Sequence, residues 1–227
     1  HGPARGAGLV TAALTGPAAA AGVLGGRPGK IIAVGLNFRS HLHGRPLPEK
    51  PELFLKPSSS LAGPGAVVTL PEGASRPQAE GELGVLVGAL LRDASVDEAL
   101  GAVAGYTCAF DITDRAWQQG DRQWWRAKGC DTWCPVGPVL VPPASFDPAT
   151  ARLTTRCNGE IVQDAPLTDM VFGVADVLAF ASRHMTLEPG DLLLMGTPGE
   201  TPDLRAGMDL AVTITGIGTL EATVALK

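Results

Sequence analysis

The chain has 227 residues, 45% of them apolar and 18% charged, which is enough to bury a full core and too hydrophobic for a disordered linker. Its formal charge of −5 offers no global basic field for gathering phosphates, which excludes nucleic acid as a default partner. Twenty-nine glycines and nineteen prolines cut the chain into short strands and turns and disfavour an all-helical fold.

Residues 1–29 form an Ala/Gly/Pro-rich leader, expected to be a loosely ordered arm or a shortened subdomain. Pro17 and several glycines interrupt it, so it has neither the run of about 20 apolar residues of a membrane span nor the pattern of a signal peptide. From Lys30 the texture changes. KIIAVGLNF reads as a buried strand closing on Asn37, and the polar, proline-studded stretch to Glu52 reads as a mobile loop. LFLKPSSSL and GAVVTLP are further short strands, and AEGELGVLVGALLR is a strand entering the core. SVDEALGAVAG, with Ser95 as N-cap and acids in its first turn, predicts a short helix, and YTCAFDIT the next strand, ending near Asp111. RLTTRCNGEIVQ is a hairpin around Asn158-Gly159, and DMVFGVADVLAFASRHM carries an apolar stripe at helical spacing from Val171 to Ala181. Short strands follow in DLLLMGTP, LAVTITGI and TLEATVALK. There is no repeat and no room for a second core, so residues 30–227 read as one domain.

The four cysteines, Cys108, Cys130, Cys134 and Cys157, show no C-x-x-C pair and no framework, which points to reduced thiols in a cytoplasmic protein and not to a thiolate zinc site. All four tryptophans, Trp117, Trp124, Trp125 and Trp133, fall in one short segment. They suit the wall of a pocket, core packing or a dimer contact equally well. His184, at the end of the striped helix, reads as a complement to the helix C-terminus.

The chemistry begins at Glu80 and Glu82. Two residues apart in a strand, they present both carboxylates on one face, where each repels the other's charge unless a cation compensates. Mg²⁺ or Mn²⁺ would do so through carboxylate oxygens, with Asp111 as the third ligand. On spacing alone the pair fits a solvated strand face as well. Lys128 alone reads as a surface lysine, Thr197 as a turn residue, and His41 as a loop histidine that could serve as a general base on a lid.

The ordered set GLNFRSH, LFLKPSSSLAGPG, AEGELGVLVG, GYTCAFDITDR, RAKGCDTWCPVGP, NGEIVQ and TLEPGDLLLMGTP resembles the fumarylacetoacetate hydrolase family from about Lys30 to Lys227. The resemblance implies an α+β, β-rich fold, a mixed β-roll with a few flanking helices, assembled as a homodimer. It places the family's metal ligands on Glu80, Glu82 and Asp111, for Mg²⁺ or Mn²⁺, and its active-site lysine on Lys128. It places substrate contacts on Arg115, Gln118, Lys128 and Thr197, an acid that holds Lys128 on Asp131, and the lid histidine on His41. Family members often carry an acid three residues after that histidine; here the position is Gly44, with Glu49, Glu52 or His43 as substitutes.

The function this implies is a metal-dependent hydrolase that cleaves a C–C bond in an acylpyruvate-like 2,4-dioxo acid, through a metal-chelated 2-oxo carboxylate and enolate. The departure at Gly44 keeps a decarboxylase or keto-enol isomerase of an oxaloacetate-like acid nearly level with it. From another class comes a catalytically silent binding subunit, against which the intact Glu80, Glu82, Asp111 and Lys128 argue. The expected partner is a small 2-oxo acid, with no nucleic acid and no membrane.

Overall fold

The computed structural model describes residues 17–227. The first sixteen residues of the expected arm lie outside the described residues. From Pro17 the same segment is a helix, α1 (Pro17–Leu24), whose Ala20 and Leu24 are buried against the sheet.

Two mixed sheets make the body. The strands are β1 (Ile31–Gly35), β2 (Glu52–Lys56), β3 (Leu61–Ala62), β4 (Ala66–Leu70), β5 (Pro77–Val87), β6 (Val103–Asp114), β7 (Cys134–Val141), β8 (Arg152–Cys157), β9 (Glu160–Pro166), β10 (Leu192–Leu194), β11 (Asp209–Ile214) and β12 (Gly218–Leu226). The larger sheet runs β2-β1-β10-β5-β6-β7-β3 and the smaller β4-β12-β11-β8-β9. Four short helices follow α1: α2 (Val96–Gly101), α3 (Arg115–Gly120), α4 (Trp125–Gly129) and α5 (Val174–Ser182). No described helix is long and apolar enough to cross a membrane. The architecture is the strand-rich α+β fold expected.

Local chemistry sets the element boundaries. Ser95 and Glu98 close a reciprocal capping box on α2. Asn158 and Gly159, with φ of 50° and 83°, make the tight turn between β8 and β9 that Asn-Gly favours. The striped helix starts at Val174 and not at Val171, because Asn37 holds the preceding turn: its carbonyl accepts from Val171 N–H and its Oδ1 from Phe172 N–H.

β5 is buried on both faces, and its two faces do different things. Ala79, Leu83, Val85 and Val87 enter the main core between the sheets. The alternate face begins at Leu86, in a second apolar cluster beneath α1 with Ala109, Leu192 and Leu194, and then turns polar at Glu82 and Glu80. Gly81 lies between them because the smaller sheet comes so close. A Cβ there would collide with Thr155 Oγ1 and lie 3.1 Å from Val212 Cγ2. The E-G-E spacing thus serves both sheets at once.

Candidate functional site

The antiparallel β5–β6 ladder brings the acids together. Its register sets Glu80 opposite Asp111 and Glu82 opposite Ala109, so the three carboxylates share one face. All three are buried, and one oxygen from each falls within 4.8 Å of the others.

Fixed donors hold part of this cluster. Arg115 Nη2 donates to Glu80 Oε1 (2.5 Å), Thr113 Oγ1 to Glu80 Oε2 (2.7 Å), Lys56 Nζ to Asp111 Oδ1 (2.7 Å) and Gly196 N–H to Glu82 Oε2 (2.6 Å). Lys128 Nζ bridges Glu80 Oε2 (2.6 Å) and Asp111 Oδ2 (2.5 Å). Burial works against the charge on Glu80, but Lys128 and Arg115 outweigh it and hold that carboxyl far below the usual carboxylate range. Burial likewise opposes the Lys128 ammonium, and Asp111 and Glu80 outweigh it, raising its pKa above the ordinary lysine value.

Glu82 is the exception. Among the described residues no Lys, Arg or His reaches it at ion-pair distance. Burial, and then the charges of Asp111 and Glu80, push its carboxyl well above the usual range. A buried oxygen cluster with one uncompensated acid fits a hard divalent cation, which would restore the charged form of Glu82 and take all-oxygen ligands. Glu80, Glu82 and Asp111 are the residues that would hold it.

The other expected residues surround this cluster in a cavity of about 710 Å³. His41 ends a short 3₁₀ turn, with Nε2 4.0 Å from Glu80 Oε1 and Nδ1 2.5 Å from the Gly199 carbonyl. Since a carbonyl only accepts, the proton sits on Nδ1 and the Nε2 lone pair is left facing Glu80. Burial lowers the His41 pKa, despite the Gly199 carbonyl and the charge of Glu80, and so favours the neutral ring. The substitutes considered for the acid missing at Gly44 do not orient it: the Gly199 carbonyl does, while His43 packs edge-on with ring centroids 5.4 Å apart. Ser40, bonded through its N–H and its hydroxyl to Asp169, pins the turn.

Arg115 and Gln118 lie on one face of α3, as their spacing predicts, and Arg115 Nη1 donates to Gln118 Oε1 (2.9 Å). Thr197 lines the cavity, its hydroxyl donating to the Gly81 carbonyl (2.9 Å). The expectation for Asp131 is corrected: it is exposed, and Lys128 is held by Glu80 and Asp111 instead. The tryptophans divide. Trp124 packs edge-on against Phe54 on the cavity wall, Trp133 is wholly buried and donates to the Thr69 carbonyl, Trp117 stacks on Trp133, and Trp125 is exposed.

Lys56 is the site residue that sequence reasoning missed. Its ammonium, wholly buried, contacts Asp111 and also donates to the carbonyl of Lys128. The signal was present as a lysine closing the apolar run LFL just before Pro57.

A family model described as fumarylacetoacetate (FAA) hydrolase C-terminal matches residues 30–225. The chain belongs to the fumarylacetoacetate hydrolase family. Family members generally use a divalent metal, and the Glu80, Glu82 and Asp111 cluster is where this one offers ligands. Among its relatives is a 2,4-didehydro-3-deoxy-L-rhamnonate hydrolase of Sphingomonas sp., 40% identical over 84% of this chain and 71% of that protein. The crystal structure of a 5-carboxymethyl-2-hydroxymuconate delta-isomerase from Mycobacterium smegmatis superposes with a TM-score of 0.83 at 36% identity, covering 88% of this chain and 80% of that one. A 2-hydroxyhepta-2,4-diene-1,7-dioate isomerase from Mycobacterium marinum gives 0.82 at 39% identity, over 88% and 76%. This family member thus resembles both hydrolases and isomerases.

Proposed function

We propose that the protein is a metal-dependent hydrolase that cleaves a C–C bond of an acylpyruvate-like 2,4-dioxo acid. The observation that carries this reading is the placement of His41, whose Nε2 lone pair, left free by the Nδ1 contact to Gly199, faces the carboxylate cluster at 4.0 Å from Glu80.

A divalent cation held by Glu80, Glu82 and Asp111 would supply Lewis acidity toward the oxygens of a 2-oxo acid and charge stabilisation as the enolate develops. The protein's own groups do the rest. Lys128, Arg115 and Gln118 orient the substrate carboxylate and neutralise its charge. His41 takes a proton from water at Nε2, the hydroxide equivalent adds to the distal carbonyl, and the bond between that carbon and C3 breaks with its electron pair leaving on the pyruvate fragment. Protonation of C3 then gives pyruvate, and the acyl fragment leaves as a carboxylate. Phe54 and Trp124 supply an aromatic wall of the cavity, with the Phe54 ring centroid 4.6 Å from Lys128 Nζ, against which an acyl group could pack.

The resemblance to two isomerases favours one further reading, a keto-enol isomerisation in which His41 moves a proton without water attack; an oxaloacetate-like decarboxylation would use the same groups. The test is incubation of Mg²⁺- or Mn²⁺-loaded protein with acetylpyruvate, oxaloacetate and an aroylpyruvate, with products read by NMR. Acetate and pyruvate from acetylpyruvate are expected. Pyruvate and CO₂ from oxaloacetate alone would favour the decarboxylase, solvent exchange at C3 without cleavage would favour the isomerase, and no metal-dependent change would leave a binding subunit.

A further inference from the structure

We propose that Gln163, on β9 in the smaller sheet, is a positioning residue for the cation site. It holds the β5 backbone between the two glutamates against the turn that grips Glu82. The inference rests on Glu80, Glu82 and Asp111 being a cation site.

Gln163 contributes no atom to the carboxylate cluster, yet its buried amide joins β5 at Gly81 to the turn at Thr197 and Pro198. Oε1 accepts from Gly81 N–H (3.2 Å), between Glu80 and Glu82. Nε2 donates to Thr197 Oγ1 (2.8 Å) and to the Pro198 carbonyl (2.6 Å). The Thr197 hydroxyl donates on to the Gly81 carbonyl, which closes a ring through both polar groups of Gly81. In the same turn, Gly196 N–H fixes Glu82 Oε2, leaving Oε1 as that residue's free oxygen.

Three features make this more than packing. The amide has one permitted orientation, because a flip would set its NH₂ against Gly81 N–H and its oxygen against the Pro198 carbonyl. A buried amide costs free energy unless all its bonds are made, and here both ends are satisfied. The ladder is also irregular at this point: β8 and β9 pair Thr155 with Gln163 and then Arg156 with Ile161, a bulge immediately beside Gln163. A bulge beside a site is a common means of directing one side chain.

The test is Mn²⁺ titration of the metal-stripped full chain, followed by electron paramagnetic resonance, beside thermal melting without metal. Wild type and Glu82→Gln come first. Mn²⁺ bound by wild type and lost in Glu82→Gln establishes the cation site, whereas no Mn²⁺ on wild type removes that reading and this proposal with it. Given a working site, Gln163→Met, similar in length and apolar, is expected to weaken Mn²⁺ about tenfold, within the range for groups that orient metal ligands. Gln163→Asn keeps the amide one methylene too short to span Gly81 and Pro198, and is expected to weaken it as well. It also carries the test alone if Gln163→Met does not fold. A melting temperature that falls in either folded variant while Mn²⁺ affinity stays within twofold of wild type would show a purely structural brace and overturn the proposal.

Discussion

Glu80 and Asp111 stand opposite each other in the β5–β6 ladder and share the ammonium of Lys128. Two buried carboxylates on one strand pair are tolerable only with such compensation, and among the described residues Glu82, two residues along, has no cation at ion-pair distance. That asymmetry shapes the behaviour expected of the site.

Glu82→Gln should separate binding from folding. Glutamine is the neutral isostere of a carboxyl that burial and its neighbours already push toward the protonated form, so metal-stripped protein should melt at or above the wild-type temperature. Mn²⁺ affinity should fall by at least about 100-fold, the upper end of what losing a mere ligand-orienting group costs. A stable variant with undiminished Mn²⁺ binding would remove Glu82 from the ligand set.

The two glutamates predict opposite pH dependence. The raised Glu82 carboxyl contributes stability that is fully present below the unfolded glutamate value of about 4.3 and is lost as pH rises through the higher folded value. The depressed Glu80 carboxyl contributes stability above about 4.3 that is lost as pH falls toward its folded value. Loading Mn²⁺ should therefore release a proton from Glu82 and raise the melting temperature more as the pH increases. Calorimetry in buffers of different ionisation enthalpy reads the proton directly.

His41→Ala should lower kcat by roughly 10² to 10⁴, the usual worth of a positioned base, while Mn²⁺ affinity stays within about threefold. Because burial lowers the His41 pKa, the acid limb of kcat/KM should fall below the ordinary histidine range. Steady-state rates beside a Mn²⁺ titration check both points.

Lys56→Met should destabilise the fold by about 1.5–3 kcal/mol, because Asp111 Oδ1 loses a buried charge-assisted donor while Lys128 still holds Oδ2. Pairing it with Asp111→Asn removes both charges and should recover much of that loss. Urea unfolding of the two variants and of the Asp111→Asn single variant measures the coupling.

Trp124→Ala should raise KM for an aroylpyruvate by about tenfold, roughly the value of a lost aromatic contact, and leave acetylpyruvate unchanged. Equal effects on both would place the ring in the packing and not in acyl recognition.

By itself the sequence determined the strand-rich class, the Asn158-Gly159 hairpin, the capped helix at Ser95 and the period-two pair Glu80 and Glu82, because each follows from local rules within a dozen residues. The seven ordered motifs carried it to the family. Only the tertiary structure decided which groups meet. Lys56, Lys128, Thr197 and Gln163 lie on separate elements, and nothing in their neighbourhoods says that two lysines converge on Asp111 or that an amide from the other sheet braces Gly81. The role that the resemblance implied for Asp131 failed in the same way: Lys128 turns to Glu80 and Asp111 on the sheet, and Asp131 is exposed. The tryptophans, a single cluster in the chain, serve as core, cavity wall and exposed surface because Trp117 and Trp125 lie on two short helices while Trp124 and Trp133 sit just before α4 and β7. Local patterns fix which face a residue takes, whereas strand register and sheet packing fix what that face meets.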